Sequence, residues 1–328
     1  MTRRTLLGAL GALPILAQTP PVPPPAAESV VKNYGGANDP QRTAPMLCVL
    51  SSNMAKVPWE QLGDIAQQMG FDGVDLTCYP GGHVEPAIIA VDLVRAFEVV
   101  RGAGINVPIV TTKVTNLAEP NAFGIIALSG NSGVPVYRTG LWKYGQNVSP
   151  MLRMQEIKRD LAQMVMGGMQ YKISAAIPNH VGPYFGSSIN ETSRLIADLP
   201  PQGVGYFFDV AQAVSLNQKE DWLLSLKTAL PRLKAVSISD FTLNKDGEFT
   251  PCPMGAGIVD WKQVFGELAQ ARYMGPVSIE MAYKSGSEVA AMQKDLEFAR
   301  KQISTAYGLG GKSWRQELAN MTQCLVCA

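Results

Sequence analysis

Histidine, cysteine and an excess of charge of either sign are scarce in this sequence. The 328 residues include 2 histidines and 5 cysteines, and 28 lysines and arginines stand against 27 acidic residues, for a formal net charge of +1. Without a basic patch or a long run of one charge, we expect no nucleic acid partner and no attraction to an acidic membrane surface. An odd and sparse set of cysteines also excludes a disulfide framework as the basis of the fold.

A cysteine pair near the C-terminal end has the spacing of a metal motif. Cys324 and Cys327 form a CxxC sequence, but no second CxxC and no histidine pair accompanies it. A structural zinc site would therefore lack two of its four ligands. Two interpretations remain, a local disulfide or an incidental pair, and the sequence leaves the role of these cysteines open.

Long apolar runs are absent apart from one near the N-terminus. Residues 1–26 begin MTRRTLLGALGALPILAQ and continue into a proline-rich spacer. Two arginines before about a dozen apolar residues are typical of a signal peptide, and such a run is too short to span a bilayer. TRRTLL also resembles the twin-arginine export signal, so we expect an exported, periplasmic protein with no membrane span.

Short apolar runs alternate with segments of helical periodicity from residue 45 onward. The candidate strands are MLCVLSS, GVDLT, INVPIVTT, VPVYRTGLW, YKISAAI, GVGYFFDV, LKAVSIS and GPVSIE. A segment with apolar residues three and four apart follows each strand, as Leu62, Ala66 and Met69 illustrate after the first. We therefore predict eight strand–helix units over residues 45–307, with residues 308–328 as a C-terminal tail.

This alternation favours an α/β fold, a (β/α)₈ TIM barrel in a single domain. Apolar strands joined by helices indicate a parallel sheet that is buried on both faces. A doubly wound open sheet is the alternative, and it normally has a glycine-rich phosphate loop after its first strand. Here SSNMAKVPWE follows the first strand and contains no glycine. Eight units in this length match the size of a barrel.

Polar side chains stand at the carboxyl ends of the predicted strands, where such barrels carry their chemistry. These residues are His83, Lys113, Arg138, Lys143, Asn179, His180, Asp209, Asp240 and Glu280. Each has a structural alternative, since Asp209 could cap the next helix and Asp240 could hold its loop. Both histidines of the chain fall in this set, however, and together the residues predict a polar pocket suited to proton transfer or to a polyol ligand.

Two segments resemble the xylose isomerase-like, sugar phosphate isomerase/epimerase family of TIM barrels. They are GFDGVDLTCYPGGHVEP around the second strand and PMGAGIVDWKQVFGELAQARYMGPVSIEMAY around the eighth, with SISDF at the end of the seventh. The resemblance spans about residues 45–305 and implies the barrel fold and a site at its mouth. The family includes isomerases, epimerases, dehydratases and endonuclease-like members, so it implies the location of the site more specifically than the reaction.

The resemblance also implies a divalent metal, Mn²⁺ or Mg²⁺, held by Glu, Asp, His and Glu from strands five to eight. Asp209 and Glu280 match the second and fourth of these ligands. Pro178 occupies the position of the first glutamate and Ser237 that of the histidine. Proline offers no donor atom and serine is a poor ligand for such ions, so we expect a weakened or absent metal site.

These observations predict an enzyme that acts on a small sugar by removing a proton next to a carbonyl, as isomerases and epimerases do. We assign Asp209, Glu280 and His180 as catalytic residues. The predicted substrate-binding residues are His83, Arg138, Lys143, Asn179 and Asp240. Two alternatives remain, a lyase or hydrolase acting on oxidised keto-glycosides and a non-catalytic sugar-binding barrel. The sequence does not decide between isomerase and lyase, or whether the chain forms a homo-oligomer.

Overall fold

Parallel strands close into a barrel in the computed structural model, which describes residues 42–145, 148–216, 221–245 and 248–309. The strands are β1 Met46–Leu50, β2 Gly73–Cys78, β3 Asn106–Thr112, β4 Val136–Arg138, β5 Ser174–Pro178, β6 Val204–Asp209, β7 Leu233–Ile238, β8 Asp240–Leu243, β9 Phe249–Cys252 and β10 Pro276–Ile279. Eight of them form the barrel, in the order β1-β10-β7-β6-β5-β4-β3-β2. The predicted single-domain (β/α)₈ barrel is therefore confirmed.

Helices follow the barrel strands along the chain. They are α1 Trp59–Met69, α2 Ile89–Gly102, α3 Ala122–Asn131, α4 Pro150–Gln170, α5 Ile189–Ile196, α6 Val210–Leu216, α7 Trp222–Ala229, α8 Trp261–Gln270 and α9 Glu288–Ala306. In α1, Leu62, Ala66 and Met69 are buried as their spacing predicts. Full burial of a side chain of leucine size contributes about 1.5–3 kcal/mol, so these stripes hold the helices against the barrel.

The turn between α1 and β2 shows how one glycine ends a helix. Gly70 has φ of 95°, a left-handed conformation, and its N–H faces the carbonyls of Ala66 and Gln67. A residue with a side chain is strained at this φ, whereas glycine is not. The chain can therefore leave α1 sharply and enter β2 three residues later.

The barrel interior has its own small apolar cluster, separate from the layer between barrel and helices. Its members are Ile109, Val136, Ala176, Phe207 and Ala235, from five consecutive strands β3 to β7. Because successive side chains on a strand point to opposite faces, residues two positions further along each strand face inward as well. This alternation identifies which side chains reach the mouth at the carboxyl ends.

Three elements differ from the sequence prediction. The fourth strand is only Val136–Arg138, shorter than the predicted VPVYRTGLW, because the chain turns at Gly140, whose N–H donates to Val114 O at 2.7 Å. Helix α6 follows β6 directly and was not predicted. The hairpin of β8 and β9 was not predicted either, although the DG pair at residues 246–247, outside the described residues, is a turn signal.

Several predictions concern residues outside the described ranges. The predicted signal peptide and spacer at residues 1–26 and the pair Cys324 and Cys327 are among them. Within the ranges that the structure does describe, no helix is long and apolar enough to cross a bilayer. The elements of the barrel extend from Met46 to Ala306.

Candidate active site

The mouth of the barrel is lined by the next inward positions after the interior cluster. Arg138, Pro178, Asp209 and Ser237 each stand two residues after a member of that cluster, on β4 to β7. Glu280 stands two residues after Ser278 of β10, whose hydroxyl reaches into the barrel interior. One face at the carboxyl ends of neighbouring barrel strands therefore carries Arg138, Pro178, Asp209, Ser237 and Glu280. The last four are the positions at which the resemblance implies metal ligands.

Asp209 is a buried carboxyl group with one oxygen bound inside the protein. Its Oδ1 accepts the N–H of Gln212 at 2.9 Å, so it caps the start of α6. Burial raises the pKa of Asp209 to about 7, and repulsion from Glu280 adds to the rise, while the Gln212 N–H and the charge of Arg138 oppose it. Asp209 is therefore poised to give or take a proton near neutral pH.

Asn179 positions Asp209 rather than facing a ligand with its amide. The Asn179 Oδ1 accepts the backbone N–H of Asp209 at 2.7 Å, and its Nδ2 donates to the Asp209 carbonyl at 2.9 Å. Both hydrogen bonds are buried and join the end of β5 to the end of β6. The amide group is thus fully used in holding the two strand ends in register.

Arg138 projects from β4 across the ring of Phe207, with the guanidinium carbon 5.1 Å from the ring centroid. Its Nε is buried and has no hydrogen-bond partner among the described residues. It also takes part in none of the ion pairs that those residues form. Its positive charge opposes the pKa rise that burial causes at Asp75 and at Asp209. A guanidinium so placed is available to bind an oxygen of a ligand.

Glu280 lies on the side of the mouth opposite Arg138. In the closed order of strands, three strands separate β10 from β4 in either direction. The backbone N–H of Glu280 donates to Ile238 O at 3.0 Å, which fixes the residue just beyond β10. Within the described part of the chain, its partly exposed carboxylate forms no hydrogen bond or ion pair. A ligand in the mouth would lie between this carboxylate and the Arg138 guanidinium.

Asp75 is a fourth charged residue of the interior, which the sequence analysis did not identify. It is 0% exposed, and its two carboxyl oxygens accept the hydroxyls of Thr111 at 2.6 Å and Ser278 at 2.8 Å. Burial raises the pKa of Asp75 to about 6, and these two hydroxyls and Arg138 oppose the rise. The signal in the sequence was an acid inside GVDLT, a strand that is otherwise without charge.

A second group of side chains forms the rim beside β5. The rings of His180 and Tyr184 meet edge to face with centroids 5.3 Å apart, and Lys143 Nζ lies 5.8 Å from the Tyr184 centroid. The His180 Nδ1 is 2.6 Å from Val181 O, and because a carbonyl only accepts, Nδ1 carries the proton. Nε2 is therefore the atom through which neutral His180 can accept a proton or a hydroxyl hydrogen bond.

His83 is bound to the loop after β1. Its Nε2 lies 3.1 Å from Met54 O and 3.0 Å from Val57 O, so this nitrogen carries a proton and donates. Burial lowers the pKa of His83, and the two carbonyls oppose the change. These contacts leave only Nδ1 for the substrate-binding role that the sequence analysis assigned to it.

Asp240 is occupied by its own loop. It is 2% exposed and accepts hydrogen bonds from Phe241 N, Gly255 N, Gly257 N, Val259 N and Trp261 Nε1, at 2.8 to 3.4 Å. The loop between β7 and α8 therefore folds around this carboxylate. The geometry corresponds to the structural alternative for Asp240 and offers no oxygen for a substrate.

A cavity at the other end of the barrel lacks catalytic groups. It has a volume of about 390 Å³ and lies between α5, α7 and the segment before β7. Its lining includes Ser193, Tyr206 and Arg232 but no acid and no histidine. The mouth, where the carboxyl groups of Asp209 and Glu280 and the guanidinium of Arg138 influence one another, is therefore the candidate active site.

The residues at the mouth do not fit a divalent metal ion. Asp209 and Glu280 supply carboxylates, but Pro178 and Ser237 fill the two other positions at which the resemblance implies ligands. Among the described residues, no three His, Cys, Asp or Glu side chains group as a metal site would require. The Arg138 cation also lies close enough to these acids to affect the pKa of Asp209. The donor set is thus a pair of carboxylates beside a fixed cation.

The fold and the mouth together define a class, (β/α)₈ barrels with acid–base groups at the carboxyl ends of the strands. The family of xylose isomerase-like TIM barrels matches residues 132–302, more than half of the chain. The protein belongs to this family. No curated protein matches the chain.

Solved structures agree on the fold. A xylose isomerase-like TIM barrel protein from Mycobacterium smegmatis, in complex with magnesium, is 15% identical, with 83% of this chain and 99% of that chain covered and a TM-score of 0.63. The 3-keto-D-glucoside 4-epimerase from E. coli is 15% identical (78% and 99% covered, TM-score 0.60). D-psicose 3-epimerase from Clostridium cellulolyticum H10, with D-tagatose, is 12% identical (79% and 99%, TM-score 0.63). At these identities the likeness shows the fold.

Proposed function

We propose that this protein is a sugar isomerase- or epimerase-like enzyme that removes a proton next to a carbonyl and uses Arg138 where relatives would use a metal. One observation carries the proposal. Arg138 and Glu280 lie on opposite sides of the mouth, and neither side chain has a hydrogen-bond or ion-pair partner among the described residues. The structural neighbours include a 3-keto-D-glucoside 4-epimerase and a D-psicose 3-epimerase, which support a sugar as the substrate class.

The chemistry needs a base, an acid and a cation. Glu280 accepts the proton from the carbon, the C–H electron pair forms the C=C bond of an enediolate, and the carbonyl electrons move to oxygen. The Arg138 guanidinium binds that oxygen, where negative charge develops. In an epimerisation, Asp209, which keeps its proton below about pH 7, returns a proton to the opposite face of the same carbon and the carbonyl forms again. In an isomerisation, Asp209 protonates the former carbonyl carbon, the proton of the adjacent hydroxyl moves to the enediolate oxygen, and the new carbonyl forms at the adjacent carbon.

Some of the remaining predicted residues contact the substrate, and the others bind parts of the protein around it. His180 Nε2 accepts from a sugar hydroxyl at the rim, where Lys143 Nζ also lies near the Tyr184 ring. Asn179 acts through Asp209, since both of its amide atoms bind the Asp209 backbone. His83 and Asp240 bind loops of the protein itself.

Exchange of a sugar carbon-bound proton with solvent deuterium tests the proposal. Aldoses, ketoses and 3-keto-glycosides are incubated with the protein in D₂O and followed by NMR. We expect exchange into at least one of them, and Glu280→Gln should lower its rate by a factor on the order of 10²–10⁴. Glu98→Gln, which changes an exposed acid on α2, is the matched control and should leave the exchange rate unchanged.

One result would contradict the enzyme proposal, and a second would change the reaction that the enzyme is proposed to catalyse. Sugar binding in a thermal-shift assay without exchange in any sugar indicates the non-catalytic binding barrel. Release of an aglycone from 3-keto-glycosides at the rate of exchange indicates a lyase, because elimination shares the first step with epimerisation.

We also propose that the protein is exported to the periplasm. The support is the arginine pair and apolar run within residues 1–26. Cell fractionation of the native chain and of an Arg3→Lys, Arg4→Lys variant tests this. Retention of the native chain in the cytoplasm would contradict it.

A further inference from the structure

The mouth of the barrel is divided by charge. Asp209 and Glu280 stand at the ends of β6 and β10, while Lys113 and Arg138 stand at β3 and β4. In the closed order, β3 and β4 are neighbours and lie across the barrel from β7 and β10. A ligand in the mouth therefore meets carboxylates on one side and cations on the other.

Lys113 lies on the inner side of this basic half. It follows Ile109 and Thr111 at two-residue steps, and both of those residues face the interior. Its Nζ lies 4.3 Å from the ring centroid of Tyr79, which continues the inward positions of β2 in the same way. The contact joins the neighbouring ends of β2 and β3 at the mouth.

The Lys113 ammonium has no acidic partner among the described residues. Five ion pairs occur there, and their cations are Arg153, Lys158, Arg159, Lys227 and Arg300. Glu119, an acid of the adjoining loop, is bound to Thr115 and Asn116 through four hydrogen bonds to one oxygen. The cation is therefore held over an aromatic ring, and the described part of the chain supplies no counter-ion to it.

Strand register sets the offset between the backbones of the two residues. Arg138 pairs with Thr111, so Lys113 stands two residues further toward solvent. Two residues of strand span about 6–7 Å, so the backbone of Lys113 lies nearer the opening of the barrel than the backbone of Arg138 by about this distance. A sugar whose carbonyl binds Arg138 would therefore extend outward, toward the level of Lys113.

We propose that the substrate is an anionic sugar with a carboxylate at the end remote from the reacting carbonyl, and that Lys113 binds this carboxylate. The inference rests on the proposed function for the position of the carbonyl at Arg138. A hexuronate has this arrangement of groups. The Tyr79 ring fixes the ammonium at the mouth.

Binding is measured separately from turnover. Isothermal titration compares D-glucuronate with D-glucose and D-galacturonate with D-galactose, pairs that differ at the terminal carbon. We expect each uronate to bind at least about tenfold more tightly than its hexose, with the preference falling as NaCl is raised. Lys113→Met should remove about tenfold of uronate affinity and leave the hexose unchanged, and Lys113→Arg should restore it.

The control is Lys56→Met, which removes another exposed lysine from the loop after β1 and should not alter the preference. Equal affinity for uronate and hexose, or a preference that survives Lys113→Met, would overturn the proposal and show Lys113 to be only a surface lysine stacked on Tyr79. If glucose 6-phosphate binds more tightly than glucuronate, the claim that Lys113 binds a carboxylate of the substrate is wrong. Deuterium exchange into hexoses without any uronate preference would reject this inference and keep the proposed function. Preferential uronate binding without deuterium exchange would keep this inference and reject the proposed function.

Discussion

At the scale of single residues, the number of partners that the protein supplies decides what each acid of the mouth can do. Asp240 receives five hydrogen bonds from its loop, whereas Glu280 receives none from the described residues. Asp209 lies between these extremes, with one oxygen bound to Gln212 N. Three acids at strand ends look alike in the sequence, and their environments separate them into structural and reactive groups.

Asp240→Asn tests the structural role of that residue. The amide replaces an accepting oxygen by a donor that faces other donors, so we expect a loss of about 3 kcal/mol in the free energy of unfolding. Urea denaturation measures this loss, with the exposed Asp64→Asn as control. An unchanged stability together with a raised KM would instead assign Asp240 to substrate binding.

The pH dependence of stability in the Asp75→Asn variant tests the role of the buried acid below the site. The folded pKa of about 6 exceeds the unfolded value of 3.8, so the folded state binds more protons between these pH values. This carboxyl group therefore lowers stability as pH rises from about 4 to about 6, by roughly 3 kcal/mol in total, and adds no further change above that range.

Asparagine does not titrate, so the variant should lack this part of the pH dependence. Urea denaturation of both proteins from pH 4 to pH 8 gives the two slopes, and Asp64→Asn should retain the slope of the native protein. Parallel curves for Asp75→Asn and the native chain would show that Asp75 is not a buried titrating group.

At the scale of elements, the site depends on how the ends of β5 and β6 are joined. Asn179 forms two buried hydrogen bonds to the backbone of Asp209, and Val181 N donates to Gln212 Oε1 at 3.1 Å. The loop after β5 is thus tied to the first turn of α6. The direction of the Asp209 carboxyl group follows from this connection as well as from its own capping bond.

Asn179→Ala should loosen this connection. It leaves the buried N–H of Asp209 without the acceptor that Asn179 supplies and removes one donor to the Asp209 carbonyl, which should cost about 1–3 kcal/mol of unfolding free energy. We also expect kcat to fall more than KM rises, because the acid is displaced while the rim remains. Asn131→Ala, at an exposed position at the end of α3, is the matched control for both measurements. A loss of stability with unchanged kcat would limit Asn179 to a purely structural role.

At the scale of the whole molecule, the sequence was sufficient for the barrel but not for all of its mouth. The eight strand–helix units follow from apolar runs and helical periodicity, and all eight strands occur. Asp75 was missed because parallel strands buried on both faces lack the alternation that would identify an inward position. Only the register of closed strands shows that Asp75, Thr111 and Ser278 meet inside the barrel.

The sequence also does not show which strands lie opposite each other across the barrel. That β4 lies opposite β10 depends on closure, so the relation between Arg138 and Glu280 could not be read from either segment alone. The loop fold around Asp240 involves residues up to 21 positions away, through the Trp261 indole. Contacts at such separations leave no local pattern in the sequence.

The most direct test of the central claim is the effect of metal removal on deuterium exchange into the sugar substrate. With EDTA and with added Mn²⁺, we predict the same exchange rate for the native protein, because Arg138 supplies the cation. Arg138→Met should lower that rate by a factor on the order of 10². Arg138→Lys should recover part of it, and the exposed Arg194→Met should have no effect. Loss of exchange in EDTA with recovery on addition of Mn²⁺ would contradict the account.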